Sequence, residues 1–410
     1  MRIALVCDSM SAYGGAERVI EQILTVFPSA DVFAVVDLVP DAQRAFLGGR
    51  TVQTSFLQKV PAIRRVYRKL FPLWPLAVEQ IDVTEYDLVI SSHHSVAYGV
   101  LTRPGQVHVS YVHSPMRYAW DLQHQYLKDS RLDRGLLTFP VRGALHRARV
   151  WDYVAAQRPE ALATNSAFVA ERLWHTHRRR SSVIYPPVAV KPHPPTTKGD
   201  YYISLGRLAP YKRVDLLAKA FAAMPHRHLK IIGDGQDLQR IKALRAPNVE
   251  VLGFQPDEVA AELLAGAKAF LFAGIEDFGI SAVEAQAAGT PVIAYRAGGL
   301  METVRGLDQS TPTGVFFDEQ TVPSIVAAVE RFEQRQHLVT IGACMANAAR
   351  FSEQQFRQAF GSFVENALAG GGRQQWLPRH EVASEIKAEL AMRDAAVAPA
   401  DLASFSSAAT

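Results

Sequence analysis

From Tyr185 to Pro195 the chain reads Tyr-Pro-Pro-Val-Ala-Val-Lys-Pro-His-Pro-Pro. Neither a helix nor an interior strand accommodates proline at that density, because each proline fixes φ and removes a backbone N–H. A stiff connector is expected there. On both sides of it, short apolar runs alternate with stretches of helical period, the pattern of parallel sheets covered by helices. Before it the strand candidates are Arg2–Val6, Asp31–Val36, Leu88–Ser91, Val107–Val112 and Ala161–Thr164. After it they are Tyr202–Leu205, Leu229–Ile232, Val249–Leu252, Ala269–Phe272, Pro291–Ala294 and Val315–Phe317. A stretch of loop and helix, about 122–157, interrupts the first series. At 410 residues the chain is too long for a typical single domain, and two α/β halves joined at about 186–200 are expected.

The charge excess is only +4, which gives no reason to invoke nucleic acid. Cys7 and Cys344 are too far apart in sequence to suggest a disulfide framework or a metal motif, and a cytoplasmic protein is expected. No apolar run approaches the roughly 20 residues that span a bilayer. Cations do cluster, however. Lys59, Arg64, Arg65, Arg68 and Lys69 precede Leu70-Phe71-Pro72-Leu73-Trp74-Pro75-Leu76, and Arg142, Arg147, Arg149 and Arg178-Arg179-Arg180 lie in the same half. Basic residues beside an apolar strip suit the anionic inner face of a membrane. The competing reading places Leu70–Leu76 in the core, with the arginines merely solvated.

Position makes one motif informative. In Glu276-Asp277-Phe278-Gly279-Ile280-Ser281-Ala282-Val283-Glu284, Glu276 falls in the loop leaving a strand, where open α/β sheets bind ligands, and Glu284 falls in the first turns of the next helix. Gly279 lets the helix start approach a ligand, and the free N–H groups of Gly279–Ser281 suit a diphosphate. Two solvated glutamates at a helix start are the plainer alternative.

Gly206-Arg207-Leu208-Ala209-Pro210-Tyr211-Lys212 also follows a strand, and Arg207 with Lys212 could neutralise a leaving diphosphate. Gly14-Gly15 is a flexible strand-to-helix turn but not the dinucleotide fingerprint, and a purely structural turn is an equal reading. His113 ends a strand within Tyr111–Trp120 and is expected at the cleft, although a lone histidine is more often structural. No P-loop, G-x-S-x-G, H-E-x-x-H or D-x-D motif is present, so no metal-held diphosphate and no bound cofactor are expected.

These residues resemble a known family. Glu276–Glu284 followed by Ala285–Ile293, with Gly206-Arg207, Lys212, Gly233-Asp234-Gly235, Gly298-Gly299, Glu302-Thr303-Val304 and Thr313-Gly314 in order, looks like the retaining family-4 glycosyltransferases. In the first half, Ser91-Ser92-His93-His94-Ser95 and Tyr111–Trp120 look like bacterial O-antigen mannosyltransferases of the WbaZ type. Ala282 departs from a common proline, and Ala273-Gly274 from a usual Pro-Ser.

The resemblance implies a GT-B fold, two Rossmann-like parallel-sheet domains facing a cleft: 1–190 with a returning helix at 352–369, then 200–350, and a mobile tail over 370–410. It implies a nucleotide-sugar donor, GDP-mannose, and a polyprenyl-diphosphate-linked glycan acceptor. By the resemblance, Arg207 and Lys212 grip the diphosphate, Glu276 binds the transferred sugar and Glu284 the ribose. Gly14-Gly15 closes over the donor, His113 lies beside the anomeric centre, and Phe278 to Ser281 line the phosphates. Phe254 and Gln255, at the end of a strand, are candidates for the base pocket. A UDP- or ADP-sugar transferase with a soluble acceptor, and an inactive scaffold that binds without turnover, are the alternatives.

Overall fold

The computed structural model describes residues 1–135, 138–190 and 197–371. The expected tail beyond 371, and 191–196 of the proline connector, lie outside the described residues.

Both halves are open parallel sheets. The first consists of β1 (Ile3–Met10), β2 (Asp31–Asp37), β3 (Val52–Thr54), β4 (Leu88–His93), β5 (Val107–Val112), β6 (Ala161–Thr164) and β7 (Ser182–Val183), in the order β3-β2-β1-β4-β5-β6-β7. The second consists of β8 (Tyr202–Leu205), β9 (Leu229–Ile232), β10 (Val249–Gly253), β11 (Phe270–Phe272), β12 (Val292–Tyr295) and β13 (Gly314–Phe317), in the order β10-β9-β8-β11-β12-β13. β3 and β7, both short, were not expected from the sequence. Parallel strands buried on both faces read as continuous apolar runs, and successive residues then serve opposite layers. Leu5 and Cys7 of β1 belong to one core while Ala4 and Val6 belong to the other.

Each sheet reverses its strand order once, between β1 and β4 and between β8 and β11. The loops leaving these strands diverge there and leave a crevice. The Gly206–Lys212 and Ile275–Gly279 segments leave β8 and β11, so both charged motifs open onto one crevice.

The chain crosses between the domains twice, and the crossings touch. Val188 forms a parallel bridge with Ser352, and its N–H donates to the Phe351 carbonyl at 2.9 Å. Tyr185, Val188, Phe278, Val283 and Phe351 bury one another around this point. Past it, Ser352 caps the helix Glu353–Asn366. Phe356, Phe360 and Val364 of that helix sink into the first domain beside Val19 and Ile23, with Phe356 edge-on to Tyr111 at 5.7 Å.

The expected exposed strip Leu70–Leu76 is corrected by the structure. Trp74 is 6% exposed and lies in the core, and Phe71 packs edge-on to Tyr118 at 5.0 Å. Only Leu73 and Leu76 of the strip face outward as large apolar groups. The indole N–H of Trp74 donates to the Tyr67 carbonyl, so the segment is folded inward by a hydrogen bond as well as by its aromatic rings. No helix among the described residues is long and apolar enough to cross a membrane.

Candidate functional site

The site is a stack of loops pressed together at glycines. A Cβ on Gly274 would lie 2.7 Å from the Lys212 Cα, and one on Gly298 would lie 2.4 Å from the Glu276 carbonyl oxygen, so neither position tolerates a side chain. This compression brings Lys212 Nζ within 3.0 Å of Glu276 Oε1 and 5.8 Å from the centre of the Phe272 ring. The ammonium approaches the carboxylate off the hydrogen-bond direction, and Glu276 Oε1 is buried without a hydrogen-bond donor. A Cβ on Gly206 would stand 3.2 Å from Lys212 Nζ and 4.0 Å from Ser281 Oγ. An ammonium, a hydroxyl and bare backbone therefore converge on one spot. Arg207 is exposed beside it and has no carboxylate partner among the described residues.

Gly279 caps the helix Ile280–Ala287 in a left-handed conformation (φ 93°), and no side chain bonds the first-turn N–H groups. Those N–H groups and the positive end of the helix suit an anion. Phe278 must be corrected: its ring is buried against Tyr185 and Phe351, at 5.7 and 5.3 Å, leaving only its backbone for a ligand. Phe254 is 76% exposed past β10, and the Gln255 amide donates to the Leu252 carbonyl at 2.9 Å. Both lie in the loop leaving the edge strand β10, two strands from the crevice.

The first domain reaches this site through several contacts. Gly15 lies against Ile280, whose Cδ1 would be 2.8 Å from a Cβ there, and the Gly14 N–H donates to Glu17 at 3.1 Å. Burial pushes the Glu17 carboxyl up from its usual range. Arg18 pairs with Glu284 at 2.6 Å, so the expected ribose ligand already holds a cation from the facing domain. His113 directly follows β5, with Nε2 2.9 Å from Ser92 Oγ. Burial, with a smaller contribution from His94, pulls its pKa down to about 3, so His113 is a neutral, positioned imidazole.

Several contacts here were not readable from the sequence, although Asp277 and Glu302 stand within its motifs. Asp277 receives Arg172 at 2.6 Å and Arg117 at 3.5 Å, and Arg117 also lies 5.7 Å from the centre of the Tyr211 ring. Glu302 accepts the N–H groups of Ala167 and Phe168 at 2.8 and 3.0 Å, capping a first-domain helix from across the cleft. In the first sheet Asp8 fills the switch point itself, accepting the backbone N–H groups of His94, Ser95, Val96 and Ala97. No local signal marks these pairings, because the partners are distant in sequence.

Residues 189–352 match the family described as glycosyl transferases group 1. That match covers most of the second half of the chain and shows its similarity to the group 1 glycosyltransferases. An uncharacterized glycosyltransferase of Methanocaldococcus jannaschii is 31% identical over 165 residues, 38% of this chain and 46% of that protein. The human GDP-Man:Man(3)GlcNAc(2)-PP-Dol alpha-1,2-mannosyltransferase is 26% identical over 215 residues, 45% of this chain and 44% of that protein. The chain thus spans less than half the length of these curated relatives. The crystal structure of Anabaena HepE in complex with UDP superposes with a TM-score of 0.64 at 19% identity, over 89% of this chain and all of that one. The fold is GT-B.

Two outcomes follow. Asp277→Asn removes the charge that Arg172 and Arg117 share across the cleft, leaving Arg172 with Asp121 of its own domain at 3.0 Å, and should open the cleft. Small-angle scattering of the variant should give a larger radius of gyration than wild type, and identical scattering would show that these pairs do not hold the domains together. His113 is held about 3 against an unfolded value near 6.5, so its contribution is complete above about pH 6.5 and lost as pH falls toward 3. His113→Asn should therefore make the acid loss of stability shallower by up to about 1.4 kcal/mol per pH unit in urea titrations. An unchanged slope would contradict the buried neutral imidazole.

Proposed function

We propose that the chain is a retaining glycosyltransferase that moves mannose from GDP-mannose onto a polyprenyl-diphosphate-linked glycan at the inner face of a membrane, in surface-polysaccharide synthesis. The observation that carries the transferase reading is the convergence of Lys212, Glu276, Ser281 and the open helix start at the β8/β11 crevice, with Arg207 beside it lacking a counter-charge. A nucleotide sugar brings the negative diphosphate that such a site lacks. Lys212 would then stand between the phosphates and Glu276, and Glu276 would fix the sugar hydroxyls.

In the reaction the bond between the anomeric carbon and the leaving phosphate oxygen breaks, and the acceptor oxygen bonds to the same face. The acceptor proton passes to the departing phosphate. Arg207, Lys212 and the helix start stabilise the charge that builds there, so the residues replace a metal ion. Glu284 would take the ribose in exchange for, or together with, Arg18. His113, being neutral, would serve the anomeric centre by position rather than charge.

Mannose is favoured by the first-half motifs and by the GDP-Man named for the human relative. A UDP-sugar is the second reading, favoured by the UDP in the HepE structure. An inactive scaffold would have no need of Arg207, Lys212, Glu276 and Glu284 together. A thermal-shift panel of GDP, UDP, ADP and their sugars, in excess EDTA, should show stabilisation by GDP, and stabilisation by UDP alone would overturn the mannose assignment. Within the same panel Glu276→Ala should keep its GDP shift while losing turnover, and Arg207→Ala should lose both. Equal GDP shifts in the two variants would overturn this division of labour.

A further inference from the structure

The helix Thr138–Ala155 is apolar on two opposite sides. Its inner side packs Leu145, Ala148 and Trp151 onto the first domain and buries Ala155. Its outer side exposes Phe139 (78%) near one end and Val150 (54%), Tyr153 (44%) and Val154 (56%) at three-to-four-residue spacing near the other, with the exposed Gly143 and His146 between them on the same side. No described residue covers these exposed apolar side chains.

Charge frames the stripe. Arg142 and Arg147 flank it along the helix, exposed, and neither has a hydrogen-bond or ion-pair partner among the described residues. The helix carries a single acidic residue, Asp152, which is fully buried and bound by Tyr98, Trp120 and His177. At the C-terminal end the Tyr153 ring stacks on His177 at 6.4 Å. His177 ends the neighbouring helix Ala167–His177, where Arg178 and Arg180 lie 5.9 Å from the Trp174 ring. The acidic Glu171 on that helix is paired with His175. Two other arginines of this region are structural: Arg149 donates to the Ala119 carbonyl, and Arg179 is buried on the carbonyls of Ala156 and Pro159.

We infer that the outer face of Thr138–Ala155 is a membrane-docking face that inserts Phe139, Val150, Tyr153 and Val154 among the headgroups of an anionic bilayer, with Arg142 and Arg147 on the phosphates. An apolar stripe between arginines, ending at a Tyr/Trp/Arg cluster, matches an interfacial helix. A protein partner would need no cationic border on both sides of the stripe. The inference deepens the lipid-linked-acceptor reading above and rests on it for its purpose. It also moves the apolar anchor away from Leu70–Leu76, whose Trp74 is in the core.

Flotation of the full chain with phosphatidylcholine vesicles, alone or mixed with phosphatidylglycerol, tests this without any turnover. Wild type should float with the anionic vesicles only. V150D/V154D should lose flotation, and R142A/R147A should bind roughly thirtyfold more weakly. Both variants should keep the wild-type thermal shift with GDP or UDP, which shows that they fold. Flotation of V150D/V154D at the wild-type level would overturn the inference, as would failure of wild type to float. A wild-type dimer that V150D/V154D converts to a monomer would also overturn it, by assigning the stripe to a second copy. Loss of nucleotide binding in wild type would instead count against the transferase reading alone.

Discussion

Carboxylates of the second domain, each held by a different group, organise this molecule. Glu276 is held inside its own domain by Lys212. Its neighbours in the crevice, Asp277, Glu284 and Glu302, reach across to Arg172 and Arg117, to Arg18, and to the start of the Ala167–His177 helix. The loop that carries Glu276 therefore has its orientation set from both domains. Opening the cleft would release Asp277 and Glu284 together, and with them the two ends of the motif that faces the phosphates.

The magnitudes distinguish these contacts from ordinary surface pairs. An exposed pair such as Arg2 with Glu85 contributes little, because water and salt screen it. Removing one partner of a buried pair costs roughly 3–5 kcal/mol, because the other charge is stranded. Arg172 and Asp277 are nearly buried, so they approach the second case, whereas the more exposed Arg18–Glu284 pair falls between the two. Burial also pushes the Glu302 carboxyl up, so this cap depends on its two backbone donors to hold the charged form. The double chain crossing and its aromatic cluster supply the non-polar counterpart, a fixed axis about which these polar contacts close.

Much of the fold was legible because buried parallel strands leave continuous apolar runs. β3 and β7 were not, being edge strands of three and two residues with too little sequence to carry a pattern. Glu276, Arg207 and Lys212 could be singled out because strand-end loops are where such sheets bind ligands. Phe278 misled, since a motif fixes the path of the backbone and not which way a ring turns. The pairing of Asp277 gave no signal, because Arg172 and Arg117 are brought to it only by tertiary structure. Trp74 looked exposed beside its cations until packing supplied Tyr67 and the sheet as partners. The Thr138–Ala155 helix was indistinct for the opposite reason: apolar residues on both sides weaken the one-sided periodicity by which a surface helix is recognised.

Where a nucleoside diphosphate sits decides the role of the β8/β11 crevice. A crystal structure of the chain with GDP or UDP locates it directly. The phosphates are predicted to lie within hydrogen-bond reach of Arg207, Lys212 and the backbone N–H groups at Ile280–Ser281, at the β8/β11 crevice. Phosphates bound instead at the β1/β4 switch point, where Asp8 now holds the backbone donors, or at the opposite edge of the second sheet, would contradict it.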